Sequence, residues 1–183
     1  MSSTCHRRTD CRLCGSTDLT EVLSLAPTPP ANAFVAAEAR ETPQPTFPLD
    51  VFFCECCGHV QLRDVVDPQV LFENYVYVSV TSPVFVKHFE DYAAAVISRV
   101  QPDAEAWVLD IGSNDGTLLR FFQEKELGVL GVDPARDIAR AATDAGIETL
   151  ADFFTPGLAA KLRTERGPAA VVTANNVLPT PTT

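Results

Sequence analysis

The residues V-L-D-I-G-S-N-D-G-T-L-L, from Val108 to Leu119, have the pattern of a buried strand followed by a glycine turn and a helix, which indicates an α/β fold. The dinucleotide fingerprint G-x-G-x-x-G requires a second glycine where this chain has Asn114, and the lysine of a P-loop is absent. The turn therefore predicts a ligand site at the carboxyl end of a parallel strand, without the marks of a dehydrogenase or a nucleoside triphosphatase.

Strands and helices alternate from this stretch to Ala174, which predicts an α/β fold with a parallel sheet and right-handed crossovers. The apolar runs predict strands at 106–112, 129–134, 147–150 and 169–174, and helices at 116–125, 135–145 and 156–166. A further helix is predicted from Pro83, with Ser82 as its N-cap, to the residues before Pro102. Its apolar residues should pack on the α/β region; they are Phe85, Phe89, Ala93, Val96 and Val100.

Carboxylates follow the predicted strands. Asp133 ends the second strand about twenty residues after the turn, where a carboxylate can accept hydrogen bonds from both ribose hydroxyls. Asp115 adds a charge that would repel a pyrophosphate but suits a ligand with an ammonium group. After the third strand, Asp152 can accept from an adenine amino group while the ring of Phe153 or Phe154 stacks on its face. These residues together predict S-adenosylmethionine as the cofactor.

Two C-x-x-C-G units predict a structural zinc site in the N-terminal region. Four thiolates suit Zn²⁺, and the glycines that follow, Gly15 and Gly58, can adopt the left-handed conformation that turns backbone N–H groups towards the sulfurs. With four thiolates the ion would have no open coordination position, so it would stabilise the domain and do no catalysis. The sequence leaves open whether Cys5 or His59 contributes. The predicted ligands are Cys11, Cys14, Cys54 and Cys57.

Charge and hydropathy exclude several classes of protein. A formal net charge of −10 and a pI near 4.6 argue against a nucleic-acid partner, which needs concentrated Lys and Arg. No apolar window approaches the roughly 18 residues of a membrane span, and the N-terminus lacks a signal peptide. Six cysteines then favour metal over disulfides. We expect a soluble, cytoplasmic protein with a small-molecule substrate.

Taken in order, these motifs resemble those of the sugar C-methyltransferase family, which includes the TDP-4-keto-6-deoxyhexose 3-C-methyltransferases. The resemblance covers about Cys11 to Val177 and rests on C-R-L-C-G, C-x-x-C-G-H-V-Q-L, Y-V-Y-V-S-x-T-S, D-I-G-S-N-D-G, G-V-D-P and D-F-F. It implies a zinc-binding domain, a Rossmann-like class I methyltransferase domain, and methylation of a carbon of a nucleotide-linked 4-keto-6-deoxy sugar. Tyr75, Tyr77 and Ser82 would close over the cofactor. The implied cofactor-binding residues are Tyr77, Gly112, Asn114, Asp115, Gly116, Asp133, Asp152, Phe153 and Asn175.

The resemblance also sets the expected domains and the limits of the chain. We expect a zinc-binding domain at 1–72, a linker strand and helix at 73–102, the first half of the cofactor domain at 103–177, and a tail at 178–183. The family's catalytic Tyr and His residues lie beyond the fourth strand, so no catalytic residue is assigned and a truncated, inactive chain is expected. Two alternatives stay open: an inactive remnant or zinc-stabilised nucleotide-binding module, and a Rossmann oxidoreductase, which the missing fingerprint disfavours.

Overall fold

A computed structural model describes residues 4–73, 76, 78 and 82–177 of the chain. The chain divides into two compact units, Met1–Glu73 and Asn74–Thr183. The first contains short antiparallel strands and a cluster of four cysteines, and the second contains a parallel sheet flanked by helices. The predicted fold class is confirmed. None of the described helices is long and apolar enough to cross a membrane.

Short strands form two small antiparallel sheets in the first unit. The pair β1 and β5 is one sheet, and β2, β3 and β4 form the other in that order. A 3-10 turn at Ala37–Ala39 interrupts the long segment between β2 and β3, and helix α1 begins after Asp67, whose carboxylate accepts from the N–H of Gln69. The bounds are β1 (Cys5–Arg7), β2 (Leu19–Leu23), β3 (Val51–Cys54), β4 (Val60–Leu62), β5 (Asp64–Val66) and α1 (Pro68–Phe72).

The first unit has little apolar core of its own. Its most buried side chains are thiols, with Cys11 1% and Cys54 0% exposed, and Phe47 and Phe52 are also buried. Arg7 adds a half-exposed ion-pair network, with one nitrogen 2.7 Å from carboxylate oxygens of both Asp50 and Asp64. Because a domain this small buries too little surface to be stable on apolar contacts alone, a metal held by the thiols would supply the missing stability.

Four parallel strands in the order β8-β7-β6-β9 form the sheet of the second unit. Each predicted strand and helix of the α/β region is present, with ends shifted by a few residues at most. The bounds are α2 (Pro83–Val100), β6 (Trp107–Ile111), α3 (Thr117–Gln123), β7 (Gly128–Val132), α4 (Arg136–Asp144), β8 (Thr149–Leu150), α5 (Pro156–Arg166) and β9 (Val171–Ala174).

Helices cover both faces of this sheet, as parallel strands require. Alternate residues of β6 point to opposite faces, so Val108 joins one apolar cluster with Phe122 of α3 and Ala93 of α2, while Leu109 joins another with Leu162 of α5. The strand core is therefore apolar on both sides. Polar side chains occur near its carboxyl edge, where the candidate site lies.

The upstream helix α2 begins and ends as predicted, but it packs differently at its ends. Phe89 and Val96 pack against the sheet cluster, whereas Phe85 and Val100 are about half exposed. Helix α3, against which α2 packs, has only seven residues compared with 18 in α2, so the outer turns of α2 have less surface to contact. Ser82 occupies the N-cap position, but its side chain makes no capping hydrogen bond.

Candidate functional site

The four predicted zinc ligands come together in the first unit. Their sulfurs all lie within 4.8 Å of one another, and two distances across the cluster are 3.7 Å, from Cys11 to Cys57, and 3.6 Å, from Cys14 to Cys54. These separations are far longer than a disulfide bond of about 2.05 Å. They match a tetrahedron around Zn²⁺, because Zn–S bonds of about 2.3 Å place the sulfurs about 3.8 Å apart.

The two C-x-x-C-G units adopt the same backbone fold. The N–H of Cys11 donates to the carbonyl of Ser16, and that of Cys54 donates to the carbonyl of His59. Each unit closes with the glycine N–H on the carbonyl of its first cysteine, and both glycines have φ of +74°. The repeated geometry follows from the repeated sequence, since only glycine adopts this conformation readily.

Backbone donors and shared charge set the pKa values of the thiols. Burial opposes ionisation of Cys11, but the N–H groups of Cys14 and Leu13, together with the thiols of Cys57 and Cys54, lower its pKa to about 7. The N–H of His59 favours the thiolate of Cys57, but burial and the three neighbouring cysteines raise its pKa to about 12. A group of thiols in this state needs a cation to ionise fully, which is the environment that a structural Zn²⁺ provides.

Gln61 is a supporting residue that the sequence analysis missed. Its buried side chain accepts from the N–H of Arg12, at 2.8 Å, and donates to the carbonyl of Asp10, at 3.1 Å, so it ties β4 to the first C-x-x-C loop. The signal was its place in C-E-C-C-G-H-V-Q, directly after the second loop. Among the described residues the cluster includes neither Cys5 nor His59.

The second candidate site is the carboxyl edge of the parallel sheet. The turn after β6, Asp133 after β7, Asp152 after β8 and Asn175 after β9 all lie at this edge, because parallel strands end on the same side. After β6 the chain adds β7 and β8 on one side of the sheet and then crosses to add β9 on the other side of β6. The strand order therefore reverses between β6 and β9, which is the position where open α/β sheets bind ligands.

The glycine turn is held by backbone bonds to β7 and to Asp133. The N–H of Gly112 donates to the carbonyl of Val132 at 2.8 Å, and the N–H of Asn114 donates to the carboxylate of Asp133 at 2.9 Å. Gly112 has φ of +69°, and a Cβ there would collide with the side chain of Val177. Asn114 also lies in the left-handed region, at φ of +52°. At this edge of the sheet the backbone of the turn is therefore not covered by a side chain at Gly112.

Two buried carboxylates lie below this turn. Asp133, 7% exposed, also accepts from the N–H of Ala135 at 2.9 Å, and burial raises its pKa despite these donors. Burial likewise raises the pKa of Asp110 to about 7, although the hydroxyl of Thr173 donates to it at 2.7 Å, and the charge of Asp133 adds to the rise. The edge of the sheet is thus suited to a ligand that carries positive charge.

The remaining predicted residues are spread along the edge. Asp115 accepts from both the N–H and the hydroxyl of Thr117, the first residue of α3. Asp152 is exposed and accepts from the N–H of Phe153, whereas Phe154 packs on the apolar cluster around Leu162. Asn175 is exposed after β9, Gly116 is the N-cap of α3, and Tyr75 and Tyr77 lie outside the described residues.

Comparisons with known proteins agree with the motifs. Residues 11–72 match the model of the family described as "Putative zinc binding domain". The C-methyltransferase NovU of Streptomyces niveus is 34% identical over 163 residues, which are 89% of this chain and 39% of the relative. The chain is a homologue of this C-methyltransferase. This similarity agrees with the resemblance stated above, and the chain spans about two fifths of the relative's length.

Solved structures give weaker matches. An S-adenosylmethionine-bound structure of CalS10, an amino pentose methyltransferase from Micromonospora echinaspora involved in calicheamicin biosynthesis, is 25% identical, with a TM-score of 0.35 over 46% of this chain and 40% of that one. The plantazolicin methyltransferase BpumL is 15% identical, with a TM-score of 0.34 over 42% of this chain and 32% of that one. Both TM-scores are low, so neither match bears on the function of this chain.

Proposed function

We propose that this chain forms the zinc-stabilised domain and the cofactor-binding sheet of an S-adenosylmethionine-dependent C-methyltransferase. The substrate class is a nucleotide-linked 4-keto-6-deoxy sugar. The observation that carries the proposal is the hydrogen bond from the N–H of Asn114 to the carboxylate of Asp133. It joins the glycine turn to the end of the neighbouring strand. Homology to a C-methyltransferase supports the reaction class.

Asp133 suits the ribose of the cofactor. Each of its oxygens accepts one backbone N–H, from Asn114 or Ala135, which fixes the carboxylate in place. A carboxylate oxygen has two lone-pair sites, so each oxygen keeps one acceptor site for a ribose hydroxyl. Two backbone donors therefore preorganise the group without using up its capacity.

The charge of the site favours S-adenosylmethionine over NAD. Asp115 and Asp133 bring carboxylates to the edge of the sheet, and no Lys or Arg lies in the turn from Gly112 to Gly116. A sulfonium and an ammonium group would be attracted to these carboxylates, whereas a pyrophosphate would be repelled. The negative charge at this edge therefore disfavours the function of a Rossmann oxidoreductase.

The reaction would join the methyl group to a carbon beside the ketone of the sugar. A base removes a proton from that carbon, and the enolate carbon then forms a bond to the methyl group as the methyl–sulfur bond breaks. When bound, S-adenosylmethionine would supply the electrophilic methyl group and S-adenosylhomocysteine would leave. The residues of this chain would bind and orient the cofactor. The zinc site, with four protein ligands, would have only a structural role.

The proposal is tested by calorimetric titration of the zinc-loaded chain with S-adenosylmethionine and, separately, with NAD. Asp133→Asn should weaken binding of S-adenosylmethionine by about 1–3 kcal/mol, because ribose hydrogen bonds to a charged group are lost. Asp137→Asn is the matched control, since Asp137 is an exposed residue on α4, paired with Arg140. It should leave binding unchanged.

Tighter binding of NAD would contradict the proposal and favour the oxidoreductase. Binding of neither ligand would favour the inactive remnant. The substrate class is tested in a chimera in which the C-terminal part of the curated relative follows this chain. Labelled methyl should pass to a nucleotide-linked 4-keto-6-deoxy sugar but not to its 4-hydroxy counterpart, because only a ketone acidifies the neighbouring C–H bond.

A further inference from the structure

A row of aligned residues crosses the sheet one position before its carboxyl edge. The register pairs Thr149 with Gly131, Gly131 with Asp110, and Asp110 with Thr173. Residues aligned in this way share one face of a sheet. The three side chains of the row are polar and buried, and Gly131 leaves a notch between them.

Ser113, in the turn after β6, fills this notch. A Cβ placed on Gly131 would overlap the hydroxyl oxygen of Ser113, and would lie 3.0 Å from Ser113 Cβ and 2.7 Å from the hydroxyl oxygen of Thr149. Ser113 is 5% exposed, and its hydroxyl has no hydrogen-bond partner within the part of the chain that the structure describes. An unpaired buried hydroxyl costs stability, so no hydrogen bond of this group to a described residue holds Ser113 in place. What the geometry shows is the fit of its side chain in the notch at Gly131.

The depth of Ser113 in the notch sets the position of the turn. Its neighbours in the chain are Gly112 and Asn114, and the N–H groups of Gly112 and Ser113 donate to the same carbonyl, that of Val132, at 2.8 and 3.3 Å. The next N–H, from Asn114, reaches Asp133 at 2.9 Å. Raising Ser113 out of the notch would therefore lengthen the hydrogen bonds from Ser113 to Val132 and from Asn114 to Asp133.

We infer that Ser113 is a positioning residue for the cofactor site and that Gly131 is the notch that receives it. Ser113 seats the glycine turn on β7, so that the N–H of Asn114 holds the carboxylate of Asp133 in the orientation that binds ribose. The role at the cofactor rests on the proposed function, whereas the seating of the turn is a property of the chain alone.

The test is Gly131→Ala, which fills the notch. Two measurements are made on the zinc-loaded chain: hydrogen exchange of the Asn114 amide by NMR, and the dissociation constant for S-adenosylmethionine. Exchange should be about tenfold faster or more, and binding about tenfold weaker, because one hydrogen bond to a charged group is lost. Gly128→Ala is the matched control, since Gly128 begins the same strand and its Cβ would meet Trp107 at 3.1 Å, away from the turn.

A second substitution separates the role of Ser113 from general crowding. Adding Ser113→Gly to Gly131→Ala removes the clash with the turn but also the side chain that seats it, so exchange and binding should recover only in part, and full recovery would show that Ser113 is not needed. Adding Thr149→Ala instead should recover stability but neither of these two readouts, because Thr149 belongs to β8 and not to the turn.

The outcomes of the two measurements are independent. Unchanged exchange at Asn114 in Gly131→Ala, or equal rescue by Thr149→Ala, would overturn the inference whether or not the cofactor binds. If the original chain does not bind S-adenosylmethionine while exchange changes as expected, the proposed function fails and the seating of the turn stands.

Discussion

Asp110→Asn should make the second unit more stable above neutral pH. Asp110 is 4% exposed in the middle of the sheet, between β7 and β9. Burial raises its pKa from 3.8 to about 7, the hydroxyl of Thr173 opposes that rise, and the charge of Asp133 adds to it. The folded protein therefore holds a proton on this group that the unfolded chain has already lost near pH 4.

The sign of the effect follows from this difference. Because the folded pKa is higher than the unfolded one, the favourable contribution of Asp110 is complete below about pH 4 and is lost as the pH rises to about 7. A rise of about three units corresponds to about 4 kcal/mol at 1.36 kcal/mol per unit, as an upper value. Asparagine does not ionise, and its amide oxygen can still accept from Thr173, so the variant should escape this loss.

Urea unfolding followed by tryptophan fluorescence measures the effect. Trp107 is the single tryptophan of the chain and begins β6, so its signal reports on the second unit. The free energy of unfolding of the original chain should fall relative to that of Asp110→Asn between pH 5 and 8. Asp137→Asn, at an exposed position, should run parallel to the original chain. Parallel curves for Asp110→Asn, or a less stable variant at pH 8, would show that burial of the ionised Asp110 does not destabilise the fold.

Two further predictions concern the metal and the turn. Protein purified without added zinc should contain about one equivalent of the ion by metal analysis, and Cys14→Ser should release it and unfold the first unit; Cys56→Ser, in the same region but outside the cluster, should not. A metal-free chain with an intact first unit would contradict the prediction of a structural zinc site. Gly112→Ala should cost about 2–4 kcal/mol in urea unfolding, from left-handed strain and the collision with Val177. Val177→Ala should recover only the collision part, and complete recovery would show that the backbone is not strained.

The sequence was enough to predict the order and type of the elements in the second unit. Apolar periodicity and capping residues act within a few positions of the chain, so β6, α3 and β7 could be located from V-L-D-I-G-S-N-D-G and the residues after it. The same locality holds for the two C-x-x-C-G loops, whose glycines both adopt the expected φ. It fails where packing decides, as at Phe85, which fits the helical stripe of α2 but is half exposed.

Which residues far apart in the chain come into contact depends on the tertiary structure. The sulfur of Cys11 lies 3.7 Å from that of Cys57, and this pairing depends on how β3 and β4 bring the second loop to the first. Nothing in the sequence indicates that the side chain of Ser113 fills the space that Gly131 leaves open. Contacts of this kind depend on strand register and side-chain volume across many intervening residues, and a local pattern carries neither. The sequence thus specifies the types of the candidate ligand-binding residues and their place at the carboxyl edge of the sheet. The packing of residues far apart in the chain determines the shape of that edge.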